Sequence, residues 1–333
     1  MKAIRTIILF SIFFQQSCNR SVESNKRSDS ISKYSLPSSN GTHNELTIFC
    51  DDDIWEECGL SFVEELARPV VGLPQNESNF DLSRLPIKSI SQITKRSKSI
   101  LSIIVIPDSS SIVVKKNVWS EPQLVVQIIG PSVKKVIQLF ELNATSLIKQ
   151  FEKHDNSILL SRISKNSQKN LPVSLKKVGI KHMLIPKGYK TTLDKNDIKI
   201  LRADTKKSIQ YLMAWTRPYF DSIYHTEAVI LSEQNKLLKK YFEGTENQSF
   251  LKIEPNISID IDYNTIGGKY VIEHRGLFRT EGGFGGGPFV TYTFFDEKEN
   301  KRISIAILVY APSSKKRKMM LELEASLRSI RLD

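Results

Sequence analysis

Between Val133 and Phe151 the apolar residues Val133, Val136, Ile137, Phe140, Ala144, Leu147, Ile148 and Phe151 recur at i, i+3, i+4 and i+7. That 3.6-residue period predicts a long amphipathic helix, starting after Pro131 with Ser132 as its cap. A stripe of this length must be covered by other elements, so the chain has to build a layered domain around it.

The flanking sequence supplies those layers. Ahead of the helix lie "ELTIFC", a second helical stretch carrying Trp55, Leu60, Phe62, Val63 and Leu66, an irregular segment, a short helix "IKSISQITKRS" and three β-like runs, "ILSIIVIP", "SIVVKKNVW" and "PQLVVQIIG". The polar stretch from Ser164 to Pro172 forms a seam, after which the pattern starts over. "IKHMLIPKGY", "DIKILRA" and "SIQYLMAWTRPY" read as strands and "HTEAVILSEQNKLLKKYF" as a helix. "GKYVIEHRGLFRT", "PFVTYTFFDE" and "RISIAILVYAP" read as an antiparallel meander, closed by the helix "KRKMMLELEASLRSI". The expected fold class is α+β: two successive halves, 45–168 and 169–333, each an antiparallel or mixed sheet packed by amphipathic helices.

The first residues are a separate object. Lys2 and Arg5 precede the apolar run "IILFSIFF", which is too short to span a bilayer, and "QQSC" ends at Cys18. A cysteine at that point resembles the lipobox of bacterial lipoproteins, which implies a signal peptide over 1–17 and an acylated Cys18 held firmly in a membrane. Residues 18–44, rich in serine and without apolar period, read as a flexible tether reaching roughly 25 to 30 Å. Removal of 1–17 takes away Lys2 and Arg5 and no acid, leaving 46 basic against 36 acidic residues, a charge of +10. On an exported chain such charge favours anionic lipid head groups or envelope glycans, and export argues against nucleic acid. Localisation is then the cell envelope, facing the periplasm. Cys50 ends a strand and Cys58 sits more than one turn into the next helix, so they read as two buried thiols rather than a bridge within the roughly 7 Å Cα limit.

Chemistry-bearing motifs are sparse. Five glycines fall among the six residues Gly282, Gly283, Phe284, Gly285, Gly286 and Gly287. They open onto "PFVTYTFF", a strand, whereas a phosphate loop opens onto a helix and ends in Gly-Lys-Ser/Thr. The run therefore reads as a hairpin connection needing positive φ or close backbone approach. Alternatively it forms a lip that contacts a ligand together with Arg275, Arg279, Glu281 and Phe284. Asp51, Asp52 and Asp53 stand where a helix begins and read as caps rather than a cation site. Asp260 and Asp262 share a face if "SIDIDY" is a strand, but two carboxylates alone make neither a calcium cage nor an acid/base pair. His43, His154, His182, His225 and His274 are dispersed, with no HExxH, so no metal and no cofactor is expected. Four S-x-x-K matches in a chain this rich in serine and lysine are chance. Glu273-His274-Arg275 reads as an ion-paired or solvated strand edge; the cations Lys315 to Lys318, near a helix amino terminus whose dipole they oppose, read as a solvated face or, alternatively, as a surface for anions.

From Leu36 onward, "LPSSNGTHNELTIFCDDDIW", "ARPVVGLPQNESNFDLSRLP", "VWSEPQLVVQI", "IPKGY", "RGLFRTEGGFGGGPFVTYTFFDEKENKR" and "VYAP" resemble, in order and spacing, an uncharacterised Bacteroidota envelope lipoprotein family, domain of unknown function 4837. The resemblance implies a lipidated amino terminus and imports no activity. The function expected is a lipid-anchored envelope protein that binds or scaffolds without catalysis. The alternative is an envelope hydrolase working on a glycan or peptide through acidic residues that no motif marks.

Overall fold

The computed structural model describes residues 35–219, 226–244 and 248–332. The signal segment, Cys18, the tether up to residue 34 and His225 lie outside them. Within the stretch assigned to the tether, Ser38 bridges Glu121 and Asn40 bridges Ser97, and Arg96 donates to the Ser38 carbonyl. The chain is thus fastened to the connecting segments around Ser97 and Glu121 from Ser38 onward, earlier than the boundary at Asn44.

The first half is a five-stranded mixed sheet in the order β2-β1-β3-β5-β4. β1 (Glu45–Phe49) leads through α1 (Asp52–Leu66) into β2 (Asp81–Leu85), which runs parallel to β1. β3 (Ser99–Val105) is parallel to both β1 and β5 (Leu124–Gly130), and β4 (Ser111–Lys116) is antiparallel to β5. α2 (Val133–Asn166) follows, its N-terminus capped by Ser132, whose side chain accepts from the Lys135 amide. The predicted stripe is buried against the sheet beside α1, with the Phe62 and Phe140 rings stacked at 4.0 Å. Cys50 and Cys58 are free, buried thiols in this core. The opposite face is covered by Leu85, Ile87, Ile90, Val118 and Trp119.

Two sequence expectations change here. β2 occupies the segment read as irregular, because "DLSRL" is an edge strand with little to bury. The short helix reduces to two 3₁₀ turns, Ile87–Ser89 and Thr94–Arg96. Between them Ser91 Oγ accepts from the Ile93 and Thr94 amides and Thr94 Oγ1 accepts from the Ser91 amide. Such local side-chain bonds offer the backbone an alternative to a continuous helix.

After a single turn, α3 (Val173–Lys176), the second half builds an eight-stranded antiparallel sheet. β7 (Lys190–Lys195), β8 (Ile198–Asp204), β9 (Ile209–Pro218), β14 (Lys301–Tyr310), β13 (Gly286–Asp296), β12 (Lys269–Glu281) and β10 (Phe250–Ile253) are successive neighbours. β11 (Asp260–Ile266) pairs with the first part of β12. One face packs on α5 (Arg317–Arg328) and the other on α4 (Glu227–Tyr241), which is why β13 and β14 are buried on both sides. β6 (Ile180–His182) and β15 (Arg331–Leu332) form a small separate pair. Of the expected strand "IKHMLIPKGY", only β6 is extended.

α2 joins the two halves. Its last third sets Leu159, Leu160 and Ile163 against Leu321 and Ala325 of α5, with Arg162 paired to Glu322.

Candidate functional site

The docking of α5 explains the cations at its start. Glu77, buried in the first half, accepts from the Lys316 amide through Oε1 at 2.7 Å and from the Arg317 amide through Oε2 at 3.2 Å. A carboxylate from elsewhere in the chain therefore satisfies the helix N-terminus and offsets the local positive charge. Lys316 and Arg317 are buried, and Arg317 pairs with Asp81 and donates to the Ser78 carbonyl. Lys318 donates to Thr42 Oγ1. The basic run is part of the joint between the halves and not a free cationic patch.

Beside that joint lies a cleft of about 790 Å³. Its floor is a network of two carboxylates and two guanidinium groups. Glu324 meets Arg275 through two parallel bonds, Nη1 to Oε1 at 2.7 Å and Nη2 to Oε2 at 3.0 Å, and accepts from Arg328 at 3.1 Å. Arg275 also donates to Glu273 at 2.9 Å, and Asn264 donates to the second Glu273 oxygen at 3.1 Å. Burial opposes ionisation of Glu324, but Arg275 and Arg328 outweigh it and hold the carboxyl below the usual range. On the first-half side, Lys149 and Lys153 of α2 project one turn apart, exposed and without an ion pair among the described residues. On the second-half side, Asp260 and Asp262 of β11 are exposed and, among the described residues, without a cationic partner. They do share a face, as the alternation of a strand requires.

The glycine run is a strand-to-strand turn. β12 ends at Glu281, β13 begins at Gly286, and the Thr280 amide donates to the Gly285 carbonyl at 2.8 Å. Gly282 has φ +74° and Gly285 has φ +107°. A Cβ on Gly287 would overlap the Val309 carbonyl oxygen, so close approach as well as positive φ selects glycine. The residues read as flanking this turn fall into two places. Arg275 belongs to the cleft floor. Arg279 and Glu281 pair with each other at 2.9 Å and with Glu254 and Lys252 of the neighbouring strand segment. Phe284 projects from the tip, 85% exposed, above a groove of about 200 Å³ that includes Tyr211, Leu251, Phe278 and Tyr310.

Other sequence candidates resolve simply. Asp51 occupies the position preceding α1, yet its carboxylate accepts from the Ile87 amide across the sheet end rather than from its own helix. Asp52 pairs with Arg84. Among the described residues no group of three or more His, Cys, Asp or Glu side chains is placed to hold a metal ion. His274, between Glu273 and Arg275, points to the opposite side of the sheet and is fully buried. Lys149, Lys153, Glu324 and Arg328 escaped the sequence reading; the only local signal was the i,i+4 spacing within each pair.

Residues 167–329 match the family model described as Domain of unknown function (DUF4837). Residues 39–164 match a second, Domain of unknown function (DUF8532). The resemblance seen from Leu36 onward therefore divides between two families, meeting near the end of α2. No curated protein matches the chain. Among solved structures, the Ran-binding protein Mog1p of Saccharomyces cerevisiae is 8% identical at a TM-score of 0.30, covering 45% of this chain and 88% of its own. Human STARD10 is 6% identical at 0.23, covering 50% and 84%. Likenesses this weak carry no functional argument.

Proposed function

We propose that the protein is a lipid-anchored module of the bacterial cell envelope, held in the membrane by acylated Cys18 and facing the periplasm. It binds a charged envelope component in the cleft between its halves. The observation that supports binding is the cleft itself: a floor locked by ion pairs, with the unpaired charges of Lys149, Lys153, Asp260 and Asp262 around it. A rigid, neutralised floor with free charges at its edge is arranged to orient a ligand. Glu324 does not suit the general-acid role in the hydrolytic alternative, which needs a raised pKa where this carboxyl is lowered. Among the described residues no helix is long and apolar enough to cross a membrane. Attachment in this reading rests on Cys18, and the basic surface adds attraction to anionic lipid head groups or envelope glycans.

The test has two arms. Cys18→Ser abolishes palmitate labelling and releases the protein from the membrane fraction; labelling at wild-type level overturns the anchor. Lys149→Glu with Lys153→Glu in the detergent-solubilised full chain lowers retention on immobilised envelope material at least fivefold. Unchanged retention overturns the cleft as the binding site.

A further inference from the structure

This inference rests on the cleft being the binding site and concerns the class of its ligand. A polyanion seated at Lys149 and Lys153 brings negative charge toward Asp260 and Asp262, and a polycation meets the reverse conflict. A ligand carrying one group of each sign satisfies both sides at once. Space also selects, since a cleft of about 790 Å³ takes a small molecule and not a folded domain.

Two further features favour amide chemistry between the charged ends. Asn156 of α2 and Asn264 of β11 both line the cleft, and neither side-chain carbonyl is engaged by a described partner. Among the described residues β11 pairs only with β12, so its outer edge has no partner strand, with the Tyr263 amide held by Asp262 Oδ1 at 2.9 Å and the other main-chain groups of that edge open. Side-chain amides and a free strand edge are the groups that recognise a peptide backbone.

We infer that the cleft binds a short zwitterionic peptide, its carboxylate drawn to Lys149 and Lys153 on α2 and its ammonium group to Asp260 and Asp262 on β11. The floor formed by Arg275, Glu324, Arg328 and Glu273 positions these walls and does not itself supply the recognising charge, since its own charges cancel.

Pools of synthetic tetrapeptides are titrated into the full-length, detergent-solubilised protein in three forms: free termini, N-acetylated and C-amidated. The free pool binds and each blocked pool binds at least tenfold more weakly. Lys149→Met with Lys153→Met removes the discrimination against the C-amide and keeps that against the N-acetyl form. Asp260→Asn with Asp262→Asn does the converse. Equal binding of all three pools overturns the inference, as does binding of heparin, used as a polyanion probe, in place of the free peptides. Absence of peptide binding, in a protein whose envelope retention still depends on Lys149 and Lys153, overturns the peptide class and leaves the cleft standing as the site.

Discussion

Glu77 and Arg317 lie 240 residues apart in sequence, and the carboxylate of the first accepts from the backbone amide of the second at 3.2 Å, where α5 begins. The same carboxylate holds the Lys316 amide at 2.7 Å. A helix whose own sequence places cations at its positive end is completed by an acid from the other half.

Glu77→Ala leaves two buried amides unpaired next to two buried cations. The loss is roughly 2 to 4 kcal/mol of stability, and Glu77→Gln, which retains an acceptor, loses less. Urea unfolding measures both; an unchanged midpoint for the alanine variant contradicts the role.

Glu324→Ala leaves the Arg328 guanidinium without its carboxylate and Arg275 with Glu273 alone, a loss of about 3 to 5 kcal/mol. In a double-mutant cycle, Arg328→Met placed on top of Glu324→Ala recovers part of that loss, because the uncompensated charge goes with it. Strict additivity of the two changes contradicts the network.

Gly287→Ala forces a Cβ into the Val309 carbonyl and destabilises by more than about 2 kcal/mol. Phe284→Ser, at the exposed tip of the same turn, shifts unfolding by no more than about 0.5 kcal/mol. The contrast, read by thermal melts, separates backbone geometry from side-chain contact.

Much of the architecture was legible because burial imposes a period. The stripe from Val133 to Phe151 had one face to hide, and the runs of β12, β13 and β14 had helices on both sides. β2 and β7 were not legible, since "DLSRL" and "KTTLDK" lie at sheet edges and bury little. The cleft was the least visible part. Its groups come from α2, β11, β12 and α5, and only the alternation of Asp260 with Asp262 and of Glu273 with Arg275 placed partners on one face in advance. The cap by Glu77 has no local signature at all.

Burial depresses the His274 pKa to about 4, with Glu227 raising it and Arg302 lowering it further. The unfolded chain, with an ordinary value near 6.5, takes up a proton that the folded chain refuses. Stability is therefore full above about pH 6.5 and falls as the pH drops toward about 4, by on the order of 3 kcal/mol from this residue. His274→Leu flattens that part of the profile in urea unfolding at a series of pH values. An unaltered slope contradicts the assignment.

The binding reading is tested most directly by site-specific photocrosslinking in the producing cell, with a photoreactive phenylalanine placed at Ser157 in the cleft and, separately, at Leu142 on the exposed face of α2. Both positions lie on one helix, so folding and abundance are controlled internally. The account predicts adducts from Ser157 that disappear when Lys149→Glu and Lys153→Glu are added, and none from Leu142. Adducts of equal yield from both positions, or from Ser157 irrespective of the two lysines, would contradict it.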